Sequence, residues 1–350
     1  MPVWSLPGLL TPRGAGLGNE VFPWAKAYLG ARALGLKEVT PPWAINPRRY
    51  DRELGGRLGG TASYLAVRAL PKIEITWEDV VATGASDYFA AMQKLRPDVL
   101  SRRVPVVLHG SGMHGGYLGI RRARAYLRKS ILGAPSAVHA DELVDEIEPT
   151  RVRIGVHYRG GTDFAEQPAV KPGVFNSRLP IEWYESVVQS LGKQLAVPVE
   201  VFLASDTEST PLAEALCIDG RYPTRIASTS VGDLAVLANS DIIVSSVSSF
   251  SMLAIFLSNA PYVWHADNLC VNGGWASIWG YESHEDGGGP TLRAAEFEVA
   301  SQSSVHRGIP QGAHPVWSEA VLRRLRDSAA ARKLSSDLIY YGVVPFDVNV

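Results

Sequence analysis

Cysteine is almost missing: the 350-residue chain has two, Cys217 and Cys270. Neither stands at metal-ligand spacing, so no zinc module is expected. Buried thiols in a reducing compartment, or a single disulfide, account for the pair. An excess of either charge is missing too. The 34 Lys and Arg against 35 Asp and Glu leave a net charge of −1. No general attraction for polyanions follows, and a nucleic-acid partner is not expected. No apolar run reaches the length of a membrane span; the longest, 242–257, is broken by serines. The start, Met1-Pro2-Val3-Trp4-Ser5-Leu6-Pro7, has neither a basic region nor a long apolar core, so it does not read as a signal peptide. The expected location is cytoplasmic, with a trimmed luminal domain as the alternative. Internal repeats and low-complexity tracts are absent as well.

What is present is ordinary globular composition, 46% hydrophobic and 20% charged. The length suits two domains. Periodicity changes near residue 150. Beyond it, strands are expected at 152–157, 199–204, 241–245 and 262–264. Helices are expected at 181–195, 210–216, 231–239 and 250–257. That alternation implies a parallel sheet with right-handed crossovers. Before it, a helix at 19–34, a strand at 104–108 and a basic amphipathic helix at 118–132 are expected. Residues 41–62 and 266–315 read as loops, and a helix starts near Trp317. The expected division is 1–150, 151–310 and a C-terminal segment 311–350 packing back on the first domain.

Chemistry concentrates in a few tracts. Ile154-Gly155-Val156-His157-Tyr158-Arg159-Gly160-Gly161-Thr162-Asp163-Phe164 runs from an apolar strand into a cation, two glycines and a carboxylate. The cation can meet a phosphate, and the glycines let backbone N–H groups approach it. The plainer alternative is a satisfied histidine beside a structural Arg–Asp pair. Ser245-Ser246-Val247-Ser248-Ser249-Phe250-Ser251 opens a helix after a strand. Ser249 reads as a possible cap, and a helix N terminus is itself a phosphate site. Asp233 stands at a helix start, where it complements the dipole. In Gly16-Leu17-Gly18-Asn19-Glu20, Asn19 reads as a cap and Glu20 as a dipole partner. The turn Ala204-Ser205-Asp206-Thr207 has a single carboxylate, so metal binding is not expected there. Arg159, Asp206 and Ser248 all follow strand ends, where doubly wound sheets bind ligands. Gly110-Ser111-Gly112-Met113-His114-Gly115 fits Gly-x-Gly-x-x-Gly, but arginines of a solvated helix face stand where the acidic ribose partner would.

Together the tracts at 13–20, 157–163 and 245–251 resemble the fucosyltransferase superfamily: the α-1,2- and α-1,6-fucosyltransferases, the rhizobial chitooligosaccharide enzymes and the protein O-fucosyltransferases. The resemblance touches residues 13–30 and most of 151–258. It implies an α/β, GT-B-like fold, two Rossmann-like domains facing a cleft. It implies a metal-independent, cofactor-free, inverting transfer of a 6-deoxyhexose, L-fucose, from GDP-fucose to a hydroxyl of a glycan, a glycosylated small molecule or a protein. By the same resemblance Arg159 grips the β-phosphate and His157 lies near the nucleoside. Ser248, Ser249 and Ser251 meet the diphosphate and Asp233 reads guanine. Asp206 lines the donor site, while Gly18 and Asn19 approach the sugar and diphosphate. Glu20, where relatives usually have Gln, and Asp163 are candidate bases, with Glu20 slightly favoured. One departure is Gly160, which replaces the second of two adjacent arginines in the 1,2- and 1,6-forming enzymes. The spacing from His157 to Asp163 is nearer the protein O-fucosyltransferase pattern. The alternatives are another GDP-sugar as donor, a non-catalytic nucleotide-sugar or glycan binding protein, and a nicotinamide-dependent oxidoreductase using the 110–115 loop.

Overall fold

The structure, a computed structural model, describes residues 1–9, 14–55, 58–85, 87–146, 151–161, 165–166, 177–226, 229–246, 248–268, 270–272, 275–277 and 308–331. Contacts divide the chain into two compact α/β units; among the described residues the first is Met1–Pro135 and the second starts at Ser136.

In the first unit four parallel strands stand in the order β2-β1-β4-β3. They are β1 (Trp4–Pro7), β2 (Lys37–Glu38), β3 (Lys72–Ile75) and β4 (Val106–His109). The helices are α1 (Leu17–Leu34), α2 (Leu58–Arg68), α3 (Trp77–Ala82), α4 (Tyr88–Ser101), α5 (Gly116–Gly119) and α6 (Arg124–Leu132). Helix α1 is apolar nearly all round and correspondingly buried on almost every side. The helix expected at 118–132 is broken into α5, a 3-10 turn at Arg121–Ala123 and α6. The break has a cause. Arg121 and Arg122 are not on a solvated face but lie 2.8 and 2.9 Å from buried Asp87. The same carboxylate caps α4 through the Ala90 N–H at 2.8 Å.

The second unit holds α7 (Pro135–Asp145), β5 (Val152–Tyr158), the short strands β6 (Ala165–Glu166) and β7 (Ser177–Arg178), α8 (Ile181–Leu195), β8 (Val199–Ser205) and α9 (Thr210–Ala215). It continues with α10 (Ser230–Ala238), β9 (Ile242–Val244), α11 (Ser249–Leu257), β10 (Tyr262–His265), β11 (Cys270–Asn272), β12 (Trp275–Ser277), β13 (Gly308–Gln311) and α12 (Glu319–Ala331). Its main sheet is parallel, in the order β13-β10-β9-β5-β8. Thr224 adds a parallel bridge outside β8. The chain thus enters at β5, winds outward through β8, then crosses back to lay β9, β10 and β13 on the other side. The order reverses between β5 and β9, which is where an open parallel sheet opens a crevice at its carboxyl edge.

Strand periodicity sorts the side chains. Val152, Ile154, Val156 and Tyr158 of β5 enter a core with Trp183, Tyr184, Val187, Val188, Leu191 and Leu195 of α8. Burying each such side chain is worth about 1.5–3 kcal/mol. Arg153, Gly155 and His157 alternate to the opposite face. A Cβ on Gly155 would stand 2.5 Å from Ser240 Oγ, so only glycine lets the loop after α10 approach the strand. Ala140 and Val144 of α7 pack on Phe202 and Val236, which groups this helix with the second unit although the expected boundary was 150. Helix α12 also departs from expectation. Its residues Val321, Leu322 and Leu325, with Trp317 before it, join the β5–α8 core of the second unit instead of the first domain. Arg326 Nε donates to the Leu195 carbonyl at 3.1 Å and fixes that docking. No helix among the described residues is long and apolar enough to cross a membrane.

Candidate functional site

The reversal between β5 and β9 is bridged by side chains. His157, near the end of β5, has Nδ1 2.6 Å from Oγ of Ser246, which follows β9. Its ring lies 5.1 Å from the Phe250 ring. Burial, and then the positive charge of Arg159, push the His157 pKa down to about 3. The imidazole is therefore neutral at physiological pH, and serves as a hydrogen-bonding group and not as a cation.

Arg159 follows β5 directly. Its guanidinium lies 2.8 Å from Asp206 Oδ2, just past β8. Asp206 Oδ1 accepts the Gly160 N–H at 2.9 Å. One carboxylate thus orients both the cation and the turn that carries it. The Gly160 carbonyl accepts from Arg178 at 2.8 Å, so this peptide is held on both sides. A Cβ at Gly160 would stand 2.3 Å from Thr207 Oγ1 and 2.7 Å from the Tyr158 ring. A side chain at this position would therefore have to displace Thr207 or Tyr158.

The serine tract forms a knot at the start of α11. Ser248, not Ser249, is the cap: its Oγ accepts the Ser251 N–H at 3.3 Å. Ser249 is the first helical residue. Ser251 is fully buried; its hydroxyl lies 2.9 Å from Ser245 Oγ and donates to the Ser248 carbonyl at 3.1 Å. A helix start held this way presents backbone N–H groups and the positive end of its dipole beside His157. Asp233 is in the first turn of α10 and half-buried. The cap there is Thr229, whose Oγ1 accepts the Gly232 N–H at 3.1 Å. Thus His157, Arg159, Asp206, Ser248, Ser249 and Ser251 gather at the carboxyl edge of the sheet. Asp163 lies outside the described residues.

Gly18, Asn19 and Glu20 belong to the first unit. They form the first turn of α1 and not a loop, because the helix already starts at Leu17 with Gly16 as its cap. Asn19 is therefore not the cap; it is exposed, while Gly18 and Glu20 are buried. Glu20 is 3% exposed, and among the described residues its Oε1 has no hydrogen-bond partner. A helix N terminus favours a carboxylate anion, but desolvation outweighs it and pushes the Glu20 pKa up to about 7.

Three contributors escaped the sequence reading. Ser246 and Phe250 stand inside the tract that drew notice, so their position was a signal. Arg178 stands far along the chain on a two-residue strand, and no pattern marks it. Among the described residues no three His, Cys, Asp or Glu side chains form a metal-ligand set.

No family model matches the chain, and no curated protein does. Solved structures do. POFUT1 in complex with GDP is similar over 74% of this chain and 97% of its own, at 14% identity and a TM-score of 0.46. POFUT1 in complex with GDP-fucose is similar over 49% of this chain and 55% of its own, at 16% identity and a TM-score of 0.36. Fucosyltransferase NodZ from Bradyrhizobium is similar over 70% of this chain and 91% of its own, at 13% identity and a TM-score of 0.42.

Proposed function

We propose that the chain is a GT-B-like, inverting glycosyltransferase that moves L-fucose from GDP-fucose to a hydroxyl acceptor. The observation that carries this reading is the gathering of Arg159, His157 and the capped start of α11 at the β5–β9 reversal. A guanidinium binds phosphate oxygens through two parallel N–H bonds and stays charged throughout turnover. A helix N terminus adds backbone donors for the same group. Asp233 offers the acceptor pair that matches the N1–H and exocyclic amine of guanine.

In the proposed reaction the acceptor oxygen attacks the anomeric carbon while the bond to the β-phosphate oxygen breaks on the opposite face. The departing electron pair leaves negative charge on GDP. Arg159 and the start of α11 stabilise that charge, and Asp206 holds the guanidinium in place before it develops. The acceptor proton goes to a carboxylate. Glu20 is the favoured base, because a pKa of about 7 matches a proton transfer near neutral pH; Asp163 is the other candidate. No metal ion is required in this scheme.

The test is GDP release from GDP-fucose and from GDP-mannose across an acceptor panel, using the wild type, Glu20→Gln and Asp163→Asn. GDP-fucose should be the better donor. Glu20→Gln should keep GDP affinity and lose rate. Normal turnover by Glu20→Gln together with a slow, GDP-binding Asp163→Asn moves the role to Asp163. A preference for GDP-mannose overturns the sugar assignment.

A further inference from the structure

The Gly-rich loop 110–115 of the first unit closes over a buried charge. Lys26, on the face of α1 that meets this loop, is 4% exposed. Among the described residues its ammonium gives one hydrogen bond, to the Gly112 carbonyl at 3.1 Å. Gly112 can turn that carbonyl toward the lysine because its φ is 106°, in the left-handed half of the map. An ammonium carries three donors, so two remain.

The lysine does not sit in packed core. It lines a pocket of about 140 Å³ whose other inner walls are Ile75 and Tyr88. Glu74, Glu78, Ser111 and His114 form its exposed mouth. The pocket lies at the carboxyl ends of β3 and β4, the edge at which parallel sheets take ligands. Buried charge is costly unless it is paired and hydrogen-bonded. Desolvation holds the Lys26 pKa at about 8, so the group is still mostly protonated at neutral pH. Its buried neighbour His109 supplies no negative charge: burial, and then Lys26 itself, push that pKa down to about 3.

We propose that this pocket binds a small zwitterion of amino-acid size, its carboxylate on the Lys26 ammonium and its own ammonium between Glu74 and Glu78. A volume of about 140 Å³ suits a guest of that size. The two carboxylates at the mouth repel a multiply charged anion such as phosphate, but they complement a cation at the outer end of the guest. The site belongs wholly to the first unit and is independent of the donor reading.

The experiment is a thermal-shift titration of the full chain at pH 7 with L-serine, sodium acetate and inorganic phosphate, each at about 50 mM and at matched ionic strength. A ligand that binds only the folded state raises Tm by mass action. Serine should raise it by about 2 °C at millimolar affinity, acetate by less, and phosphate not at all. Lys26→Met should abolish the serine shift. Because that substitution is buried, Glu74→Gln at the exposed mouth provides a second reading: it should reduce the serine shift without reducing the acetate shift. No shift with serine in the wild type overturns the site. So does an equal shift with phosphate, or an undiminished serine shift in Lys26→Met or in Glu74→Gln.

Discussion

Two clusters of buried polar groups, one in each unit, are built in opposite ways. In the second unit the groups at the sheet edge satisfy one another: His157 with Ser246, Arg159 with Asp206, Ser251 with Ser245. What that cluster offers a guest is a cation, a helix start and fixed hydroxyls. In the first unit Asp87 is held by Arg121 and Arg122, but Glu20 and Lys26 are buried with fewer partners. Among the described residues Glu20 has a bare carboxylate oxygen, and Lys26 gives one hydrogen bond at a pocket floor. The first arrangement is preorganised for charge that arrives with a ligand. The second keeps protonation equilibria near neutrality, which suits proton transfer and ties stability to pH. The comparison can be broken at several points.

The largest effect is expected in the second unit. Arg159→Ala should lower turnover a hundredfold or more, about 3 kcal/mol of lost stabilisation. Arg159→Lys should recover little, because lysine keeps the charge and loses the paired donors. Steady-state GDP release measures both.

In the first unit Asp87→Ala should destabilise by about 3 kcal/mol in urea unfolding. It strands Arg121 and Arg122 and removes the α4 cap together. GDP affinity should be unchanged.

The Glu20 carboxyl should show its burial as a pH effect. Its folded pKa, about 7, lies above the usual carboxylate value of 4.5. The folded state therefore holds the proton more tightly. This contribution is fully present below about pH 4.5 and is lost as pH rises through 7. Glu20→Gln should then be about 3 kcal/mol more stable than the wild type at pH 8 and equal to it at pH 4. Urea midpoints at the two pH values test this. A variant less stable at pH 8 would mean that the folded state holds Glu20 as a satisfied anion.

The smallest effect is the α11 cap. Ser248→Ala should cost about 1 kcal/mol and should weaken GDP binding if the start of α11 holds phosphate. Equal GDP affinity would confine Ser248 to a structural part.

The sequence was most legible where periodicity was strongest. Helix α8 was expected at 181–195 and found at Ile181–Leu195, with Trp183 and Tyr184 in the core and Ile181 packed against it. Strands β5, β8 and β9 fall within one or two residues of expectation. Strand β13 was hidden because Gly308-Ile309-Pro310-Gln311 contains a proline. That is tolerable on a strand that, among the described residues, pairs with β10 alone. In the first unit β1 is four residues long, too short for a period to register, and helix α2 starts among glycines. At the site, Arg159 and the serine tract were legible because motif and strand end coincide. The bonds of Asp206 to Arg159 and of Arg178 to Gly160 were not, since they join residues far apart in sequence.

The central claim is that the β5–β9 edge reads a guanosine diphosphate. Calorimetric titration of the wild-type chain with GDP, UDP and NAD at equal ionic strength tests it most directly. GDP should bind at least about tenfold more tightly than the other two, a difference of about 1.4 kcal/mol. Tighter binding of UDP or NAD, or no heat with GDP, would contradict the account.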